Sequence, residues 1–238
     1  MSELWRDAVV VARKDLLIEA RSKVTLSQIA PFGVLMLVLF GFALDDLVIR
    51  DKNRASIAVS GVASSTVTSG LFWMAVLFSA LVAVQRSFAI EVADGGRDGL
   101  RLSSLDPAGI FLGKAFAITV QLVILEIVLA LGSLLFFRPS VGSPLLLLLV
   151  MVLATVGLAA TGTCYGALSA GLRVRDTLLP VLYFPIVAPL LLAAVKATSA
   201  GMLGQLHDAW PWVRLLTVFA VMYVAMGVLV FGQLLEDS

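Results

Sequence analysis

Long apolar stretches separated by short polar segments dominate the chain. Six of them approach the roughly 20 residues that a helix needs to cross the hydrocarbon of a membrane, and they lie at residues 28–46, 67–85, 115–137, 144–171, 178–196 and 213–235. Apolar runs of this length are typical of helices and not of strands. The pattern predicts an all-α membrane protein with one six-span transmembrane domain over residues 28–235.

Residues 1–27 have a different pattern, in which apolar and charged positions follow each other at helical spacing. The apolar positions fall on one face of a helix, and they are Trp5, Val9, Ala12, Leu16 and Ala20. No apolar core of a signal peptide is present, so we expect this segment in the mature protein. The pattern predicts either an interfacial helix on the membrane surface or a solvated helix packed on its own protein.

Composition supports membrane insertion and narrows the possible functions. The 238 residues are 60% hydrophobic and 14% charged, with a mean hydropathy of +1.03, whereas soluble domains contain about 25% charged residues. The net charge is +1 without a basic block, so we expect no nucleic-acid partner. The single cysteine, Cys164, has no partner for an internal disulfide, and its apolar neighbours indicate a packed thiol.

The basic residues predict the orientation in the membrane. Six spans place both termini on the same side. If that side is the cytoplasm, eleven of the 17 Lys and Arg residues lie inside and six lie outside, in agreement with the positive-inside rule. We therefore expect cytoplasmic N- and C-termini. The outer segment 197–212 is half apolar, which leaves open that it re-enters the outer leaflet between neighbouring helices.

One long charged segment separates the second and third spans: residues 86–114, RSFAIEVADGGRDGLRLSSLDPAGIFLGK. It contains four of the basic residues, acidic residues close to them and amphipathic helical spacing. The predicted orientation places it in the cytoplasm, where it is expected to dock a partner. The candidate docking residues are Arg86, Glu91, Asp94, Gly95, Asp98, Leu100 and Arg101, with Arg173 and Arg175 in the next cytoplasmic loop as a secondary contact.

Motifs for catalysis or for metal binding are missing from the sequence. GIFLGK at 109–114 is superficially similar to a phosphate-binding loop, but the glycine spacing is one residue short and Ala115 replaces the Ser or Thr that would hold magnesium. No metalloprotease, serine hydrolase or CxxC motif is present. The only histidine, His207, lies in an outer loop without a second ligand near it. We predict that the chain is not an enzyme and holds no metal.

Glu126 is the only acidic residue deep within a predicted span. A carboxylate at this depth costs on the order of 3 kcal/mol on insertion scales, so it should face the interior of the bundle. Thr119 and Ser133 lie seven residues away on either side, on the same helix face. These three residues form a candidate intramembrane site. A gate or substrate contact and a plain interhelical hydrogen bond are equally good interpretations.

Two other spans have features that bear on packing and shape. Gly157, Gly162 and Gly166 in the fourth span let helices approach closely, which favours a contact within the chain over a subunit interface. The fifth span contains three residues that remove backbone donors and favour kinks, and they are Pro180, Pro185 and Pro189.

Six spans, an N-terminal helix with RKDLLIEARSK and the connection at 86–114 resemble the permease subunits of ABC-2-type exporters. More narrowly, the chain resembles the CcmB family, the B subunits of the haem exporter in cytochrome c maturation. Three stretches carry this resemblance: LFWMAVLFSALVAVQRSFA, the ADG-x-x-DGL-x-L-x-x-L-D-P run and LLPVLYFPIVAPLLLAA. The family pattern has Thr or Ser, Leu and Glu after Asp-Gly. This chain instead has Gly96, Arg97 and Asp98, and its glycines weaken a helix there.

The resemblance implies a non-catalytic permease subunit in the bacterial inner membrane. A separate CcmA-like ATPase would bind beneath the membrane, with a coupling helix within 86–114 seated in its surface. ATP would act on that partner, and the motion would reach the bundle through spans two and three. The other implied partners are CcmC-like and CcmD-like membrane subunits and a CcmE-like periplasmic haem chaperone. Haem is implied as a ligand of the complex, with no cofactor on this chain.

Three alternatives remain. The chain can be an ABC-2 permease for a glycolipid or a drug, which a cytochrome c assay in a deletion strain would separate from haem export. An ATP-independent transporter using Glu126 as a proton site should have inverted repeats, and residues 28–137 and 144–235 show no convincing similarity. A passive scaffold predicts normal function with an ATPase partner that is unable to hydrolyse ATP.

Overall fold

The computed structural model describes residues 2–22, 27, 30–31, 33–35, 38–39, 42, 57–93, 105–137, 141–170 and 175–236. Within these ranges the regular structure is helical, which confirms the all-α fold class. The long helices described are α1 (Ser2–Ser22), α2 (Ile57–Ala93), α3 (Pro107–Phe137), α4 (Pro144–Ala170), α5 (Arg175–Met202) and α6 (Leu206–Glu236).

Helices α2 to α6 are each long and apolar enough to cross a membrane. Their apolar stretches have mean hydropathies between 1.9 and 2.5, and they are Ser65–Ala89, Pro107–Leu135, Pro144–Ser169, Leu179–Met202 and Leu206–Gln233. These stretches correspond to predicted spans two to six. The first predicted span, 28–46, lies largely outside the described residues. The described part of the chain is therefore a multi-pass bundle with five membrane-length helices.

The helices beside the predicted docking segment extend beyond the predicted spans. Residues 86–93 belong to α2 and residues 107–114 belong to α3, so these parts continue the two flanking helices, and a coupling helix within 86–114 stays a prediction. The start of α3 is explained by its cap, because Asp106 Oδ1 accepts a hydrogen bond from Ala108 N at 2.9 Å. Pro107 takes the first helical position, where its missing N–H costs nothing.

The connection between α5 and α6 is a tight turn. Most of segment 197–212 is helical, and its re-entry into the outer leaflet stays a prediction. Gly204 has a φ of 72°, a left-handed conformation that glycine adopts without strain. Gln205 N donates to Ala200 O at 2.9 Å, which satisfies one of the last carbonyls of α5. Glycine at position 204 therefore allows a sharp reversal between α5 and α6.

The two ends of the bundle are formed by different parts of the chain. We call the end that contains the α5–α6 turn the turn end. There the connection before α4 is hydrogen-bonded to that turn. The apolar part of α2 also begins there, because Ser65 Oγ and Ser199 Oγ are hydrogen-bonded at 2.9 Å. We call the opposite end the polar end, and there α1 packs against the start of α3. The last turns of α6 lie beside it, since an ideal Cβ on Gly232 would be 3.5 Å from Pro107 Cβ.

Small residues in α4 let this helix approach its neighbours closely. An ideal Cβ on Gly157 would overlap with Leu190 Cδ1 of α5, and one on Gly166 would overlap with Phe88 Cε2 of α2. The glycine row of α4 therefore packs against helices of the same chain. Helix α5 contains all three prolines of the fifth predicted span, and the kinks they favour stay a prediction.

Candidate functional site

Helix α1 packs directly on the first turns of α3. An ideal Cβ on Gly109 would lie 3.1 Å from Leu4 O, and one on Gly113 would lie 2.6 Å from Ala8 O. Glycines four residues apart leave a surface on which a second backbone can approach closely. The GIFLGK sequence, which fails as a phosphate-binding loop, is therefore part of a helix-packing surface.

The packing of α1 divides its predicted apolar face. Ala12 of that face is buried with an exposed fraction of 6%, together with Ala8 at 6% and Val11 at 2%, which lie outside the predicted face. Trp5 and Val9 are both 62% exposed and point away from this contact. One side of α1 is thus packed on its own protein, as the second sequence interpretation expected, while part of the apolar face is directed outward.

Lys114 joins three helices at the polar end. Its side chain is 1% exposed, and its Nζ donates to Asp15 Oδ2 of α1 at 3.2 Å and to Ser87 Oγ of α2 at 3.1 Å. The same nitrogen lies 4.8 Å from the centroid of the Phe88 ring, within the range of a cation–π contact. A buried charge is tolerated only when it is paired and hydrogen-bonded, and these contacts satisfy that requirement.

Two further contacts connect α1 to the same helices. Arg86 Nε of α2 lies 3.6 Å from Glu19 Oε2. Asp7 Oδ2 accepts a hydrogen bond from Asp106 N at 3.2 Å, which places a carboxylate at the N-terminus of α3, where the helix dipole favours negative charge. We define the α1 junction as these contacting residues: Asp7, Asp15, Glu19, Arg86, Ser87, Phe88, Asp106 and Lys114.

The α1 junction contains residues from both ends of the predicted docking segment 86–114. Most of the predicted docking residues lie outside the described ranges, and they are Asp94, Gly95, Asp98, Leu100, Arg101 and Arg173. Glu91 and Arg175 are helical in α2 and α5, and only their backbone is described. Arg86 is described in full, and it contacts Glu19 of the same chain. Docking of a partner by these residues stays a prediction.

The predicted intramembrane residues do not share one contact. Glu126 is 1% exposed, and Thr155 Oγ1 of α4 donates to its Oε1 at 2.5 Å. Thr119 Oγ1 donates to Ala115 O of its own helix at 2.7 Å. Because seven residues correspond to about 10 Å along a helix, Thr119 and Ser133 are displaced from Glu126 in opposite directions. The contact that Glu126 does make is an interhelical hydrogen bond.

Ser133 lines a cavity of about 240 Å³ near the turn end. The walls come from α2, α3, α4 and α5 and are mainly apolar, with Phe72, Leu147 and Met151 among them. The Ser133 hydroxyl is buried without a hydrogen-bond partner in the described part of the chain. Ser133 therefore belongs to this cavity and not to the surroundings of Glu126.

The described side chains do not form a metal site. Among the residues described, no three His, Cys, Asp or Glu side chains lie close enough together to hold a metal ion. Cys164 is buried as a free thiol, and His207 is exposed in the first turn of α6.

The family of the chain follows from its similarity to known proteins. The family model described as CcmB protein matches residues 6–238. The chain belongs to the CcmB family. This match includes α1 from residue 6, the five other long helices and residues 94–104 between α2 and α3.

Individual CcmB relatives are similar at about the same level. Heme exporter protein B of Paracoccus denitrificans (strain Pd 1222) is 29% identical over 170 residues, which are 69% of this chain and 76% of that protein. Heme exporter protein B of Rhodobacter capsulatus is 31% identical over 142 residues, 58% of this chain and 63% of that protein. The protein of the same name from Haemophilus influenzae is 30% identical over 140 residues, 59% and 63% of the two chains.

Within this CcmB chain, sequence reasoning missed the α1 junction as a unit. Two signals pointed to it. Asp7, Asp15 and Glu19 are spaced by eight and four residues, which places them on one side of a helix. Gly109 and Gly113 have the four-residue spacing of close helix contacts. Neither signal identifies the partner helix, because that depends on how the chain folds.

Proposed function

We propose that this chain is the transmembrane permease subunit of an ABC transporter complex that exports or delivers haem for cytochrome c maturation. Its CcmB family and its relatives named Heme exporter protein B support the link to haem. Its membrane-length helices support a multi-pass permease in the bacterial inner membrane. A CcmA-like subunit would hydrolyse ATP, and CcmC-like, CcmD-like and CcmE-like partners would handle haem with it.

The observation that carries this proposal is the continuity of α2 and α3 with the docking segment. Both helices extend from the apolar bundle to residues that directly flank 94–104. Lys114 and Arg86 also connect both helices to α1. A partner that displaces 94–104 would therefore act on three helices at once. For ATP to change the conformation, that partner must contact the segment differently in its two nucleotide states.

We also propose six spans with both termini in the cytoplasm. Helix α1 lies at the polar end, whereas Ser65 lies at the turn end near Ser199. The chain between them has to pass from one end to the other. An ideal Cβ on Gly33 would lie 2.9 Å from Leu129 Cδ2 of α3, which supports a sixth crossing beside that helix.

The docking assignment is tested with the full chain and its ATPase partner expressed together. We expect Asp94→Lys, Asp98→Lys and Leu100→Asp each to reduce co-purification of the ATPase, because they introduce like charges or a desolvated carboxylate at the contact. Asp208→Lys is the matched control, since Asp208 is an exposed acid at the turn end. Unchanged co-purification with all three docking variants would contradict the assignment.

The haem assignment has a separate readout. A deletion strain should lose mature c-type cytochromes and recover them with the unmodified chain. Normal cytochrome c in the deletion strain would favour an ABC-2 permease for another substrate. Recovery together with an ATPase partner that cannot hydrolyse ATP would favour a passive scaffold.

A further inference from the structure

The acidic side chains described in helix α1 are less exposed than its basic side chains. The side chains of Asp7, Asp15 and Glu19 are directed into the α1 junction and are only 6%, 11% and 14% exposed. The basic side chains of the same helix are exposed, and they are Arg6, Arg13, Lys14 and Arg21. Arg6 Nε lies 3.7 Å from Asp7 Oδ1, and Lys14 Nζ lies 3.2 Å from Asp15 Oδ1. The acids thus contact both the junction and neighbouring bases, and the described charged side chains of α1 that remain exposed are basic.

The outward surface also contains large apolar side chains. Trp5 and Val9 are both 62% exposed, Val10 is 54% exposed and Leu17 is 48% exposed. Trp5 and Val9 are four residues apart and lie on one side of the helix, beside the basic residues. A helix surface that combines Lys and Arg with Trp and aliphatic side chains is typical of membrane interfaces, and tryptophan prefers that depth.

The position of α1 along α3 places this surface at the level of the lipid headgroups. The apolar stretch Pro107–Leu135 has 29 residues and is therefore about 43 Å long. The hydrocarbon of a bilayer is about 30 Å thick, and the whole bilayer with headgroups is about 40 to 45 Å thick. Helix α1 contacts α3 at Gly109 and Gly113, in the first two turns. If this stretch is centred in the bilayer, about 6 Å at each end lies beyond the hydrocarbon, which places Gly109 in the headgroup layer and Gly113 near the boundary between headgroups and hydrocarbon.

We propose that the outward face of α1 binds anionic phospholipid headgroups in the leaflet at the polar end, with Arg6 and Arg13 as the principal contacts. Three observations support this partner: the exposure of the basic side chains of α1, the apolar side chains beside the basic ones, and the depth of the helix. Basic residues next to a membrane surface attract anionic lipids through that surface's negative potential. The proposal does not depend on haem or on the ATPase.

The test uses the full chain in nanodiscs of phosphatidylcholine with a minor fraction of phosphatidylglycerol. Cys164 is the only cysteine, so a Cys164→Ala, Val9→Cys chain accepts one fluorophore on the outward face. Quenching by a headgroup-spin-labelled anionic lipid is compared with quenching by the zwitterionic equivalent. We expect the anionic lipid to quench severalfold more strongly. This difference should disappear at 1 M salt, where the Debye length is about 3 Å.

Two sets of variants separate the outcomes. Arg6→Gln with Arg13→Gln should abolish the anionic preference, whereas Lys196→Gln with Arg214→Gln should leave it unchanged, because these exposed bases lie towards the turn end. Equal quenching by both lipids would overturn the proposal, since it would show membrane contact without selectivity. An absence of quenching by either lipid would also overturn it and would indicate that this face binds a protein partner. The salt titration needs no variant of the basic residues, so a folding defect in those variants does not decide the result.

Discussion

Lys114 and Glu126 are two buried ionisable side chains on the same helix, and their surroundings differ. Each is 1% exposed, and twelve residues separate them, which is about 18 Å along α3. Lys114 has a carboxylate, a hydroxyl and an aromatic ring around its ammonium group, contributed by α1 and α2. Glu126 accepts one hydrogen bond from a neutral hydroxyl on α4. Within the described residues it has no ion pair.

The difference shows what each residue contributes. The Lys114 contacts connect the N-terminal helix to the two helices that flank the docking segment, so they define how the polar end is assembled. The Glu126 contact connects only α3 to α4 and depends on one hydroxyl. Removing one partner of a buried ion pair leaves an uncompensated charge, whereas removing a neutral donor leaves one unsatisfied acceptor. The two sites should therefore respond to partner removal by different amounts.

The largest effect is expected for Asp15→Asn, which leaves Lys114 buried without its countercharge. The free energy of unfolding should fall by about 3 to 5 kcal/mol, measured by denaturant unfolding of the purified chain in detergent. Asp15→Leu with Lys114→Met should be closer to the unmodified chain, because both charges are then absent. If Asp15→Asn unfolds like the unmodified chain, water must compensate Lys114 and the ion pair is not a structural connection.

A smaller effect is expected for Thr155→Val, which removes the hydrogen bond to Glu126 and keeps the side-chain shape. The unsatisfied carboxyl group should cost about 1 to 3 kcal/mol of unfolding free energy. Thr155→Ser retains the hydroxyl and is the matched control. Equal stability of the two variants would mean that Glu126 finds another donor. The surroundings of Glu126 and Lys114 would then differ less than their contacts indicate.

The smallest effect is expected for Glu19→Gln at the edge of the α1 junction. The Arg86–Glu19 pair is separated by 3.6 Å, and its side chains are 24% and 14% exposed. A partly solvated pair of this kind contributes about 0.2 to 1 kcal/mol, and salt should reduce that contribution further. Unfolding in low and high salt measures both quantities. A loss of unfolding free energy as large as that expected for Asp15→Asn would show that the Arg86–Glu19 pair is as desolvated as the Lys114–Asp15 pair.

Much of the fold could be predicted from hydropathy, since spans two to six each correspond to a long apolar helix. The start of α3 was predicted too late, because the predicted third span began after Lys114, at residue 115. The apolar stretch includes Lys114 and begins at Pro107, and the ammonium group has a partner on α1. The turn within segment 197–212 could not be predicted either. Glycine and alanine are compatible with a re-entrant loop and also with a short turn between two helices.

The candidate site was less predictable than the fold. The sequence identified Arg86 as a candidate docking residue and Glu126 as an acid deep within a span. It did not identify Glu19 and Thr155 as their partners. Those partners lie 67 and 29 positions away along the chain, so no local pattern connects them. GIFLGK was compared only with phosphate loops, although the same two glycines have the spacing for close helix contact.

The lengths of α2 and α3 have a mechanical consequence. They contain 37 and 31 residues, which correspond to about 55 and 46 Å, whereas the hydrocarbon they cross is about 30 Å thick. A helix that extends beyond the hydrocarbon can tilt as a rigid body about the part that lies within the bilayer. A tilt imposed at the polar end would move the turn end in the opposite direction. Such a tilt would displace Ser65, Ser199 and the cavity beside Ser133, which lie at the end opposite the docking segment.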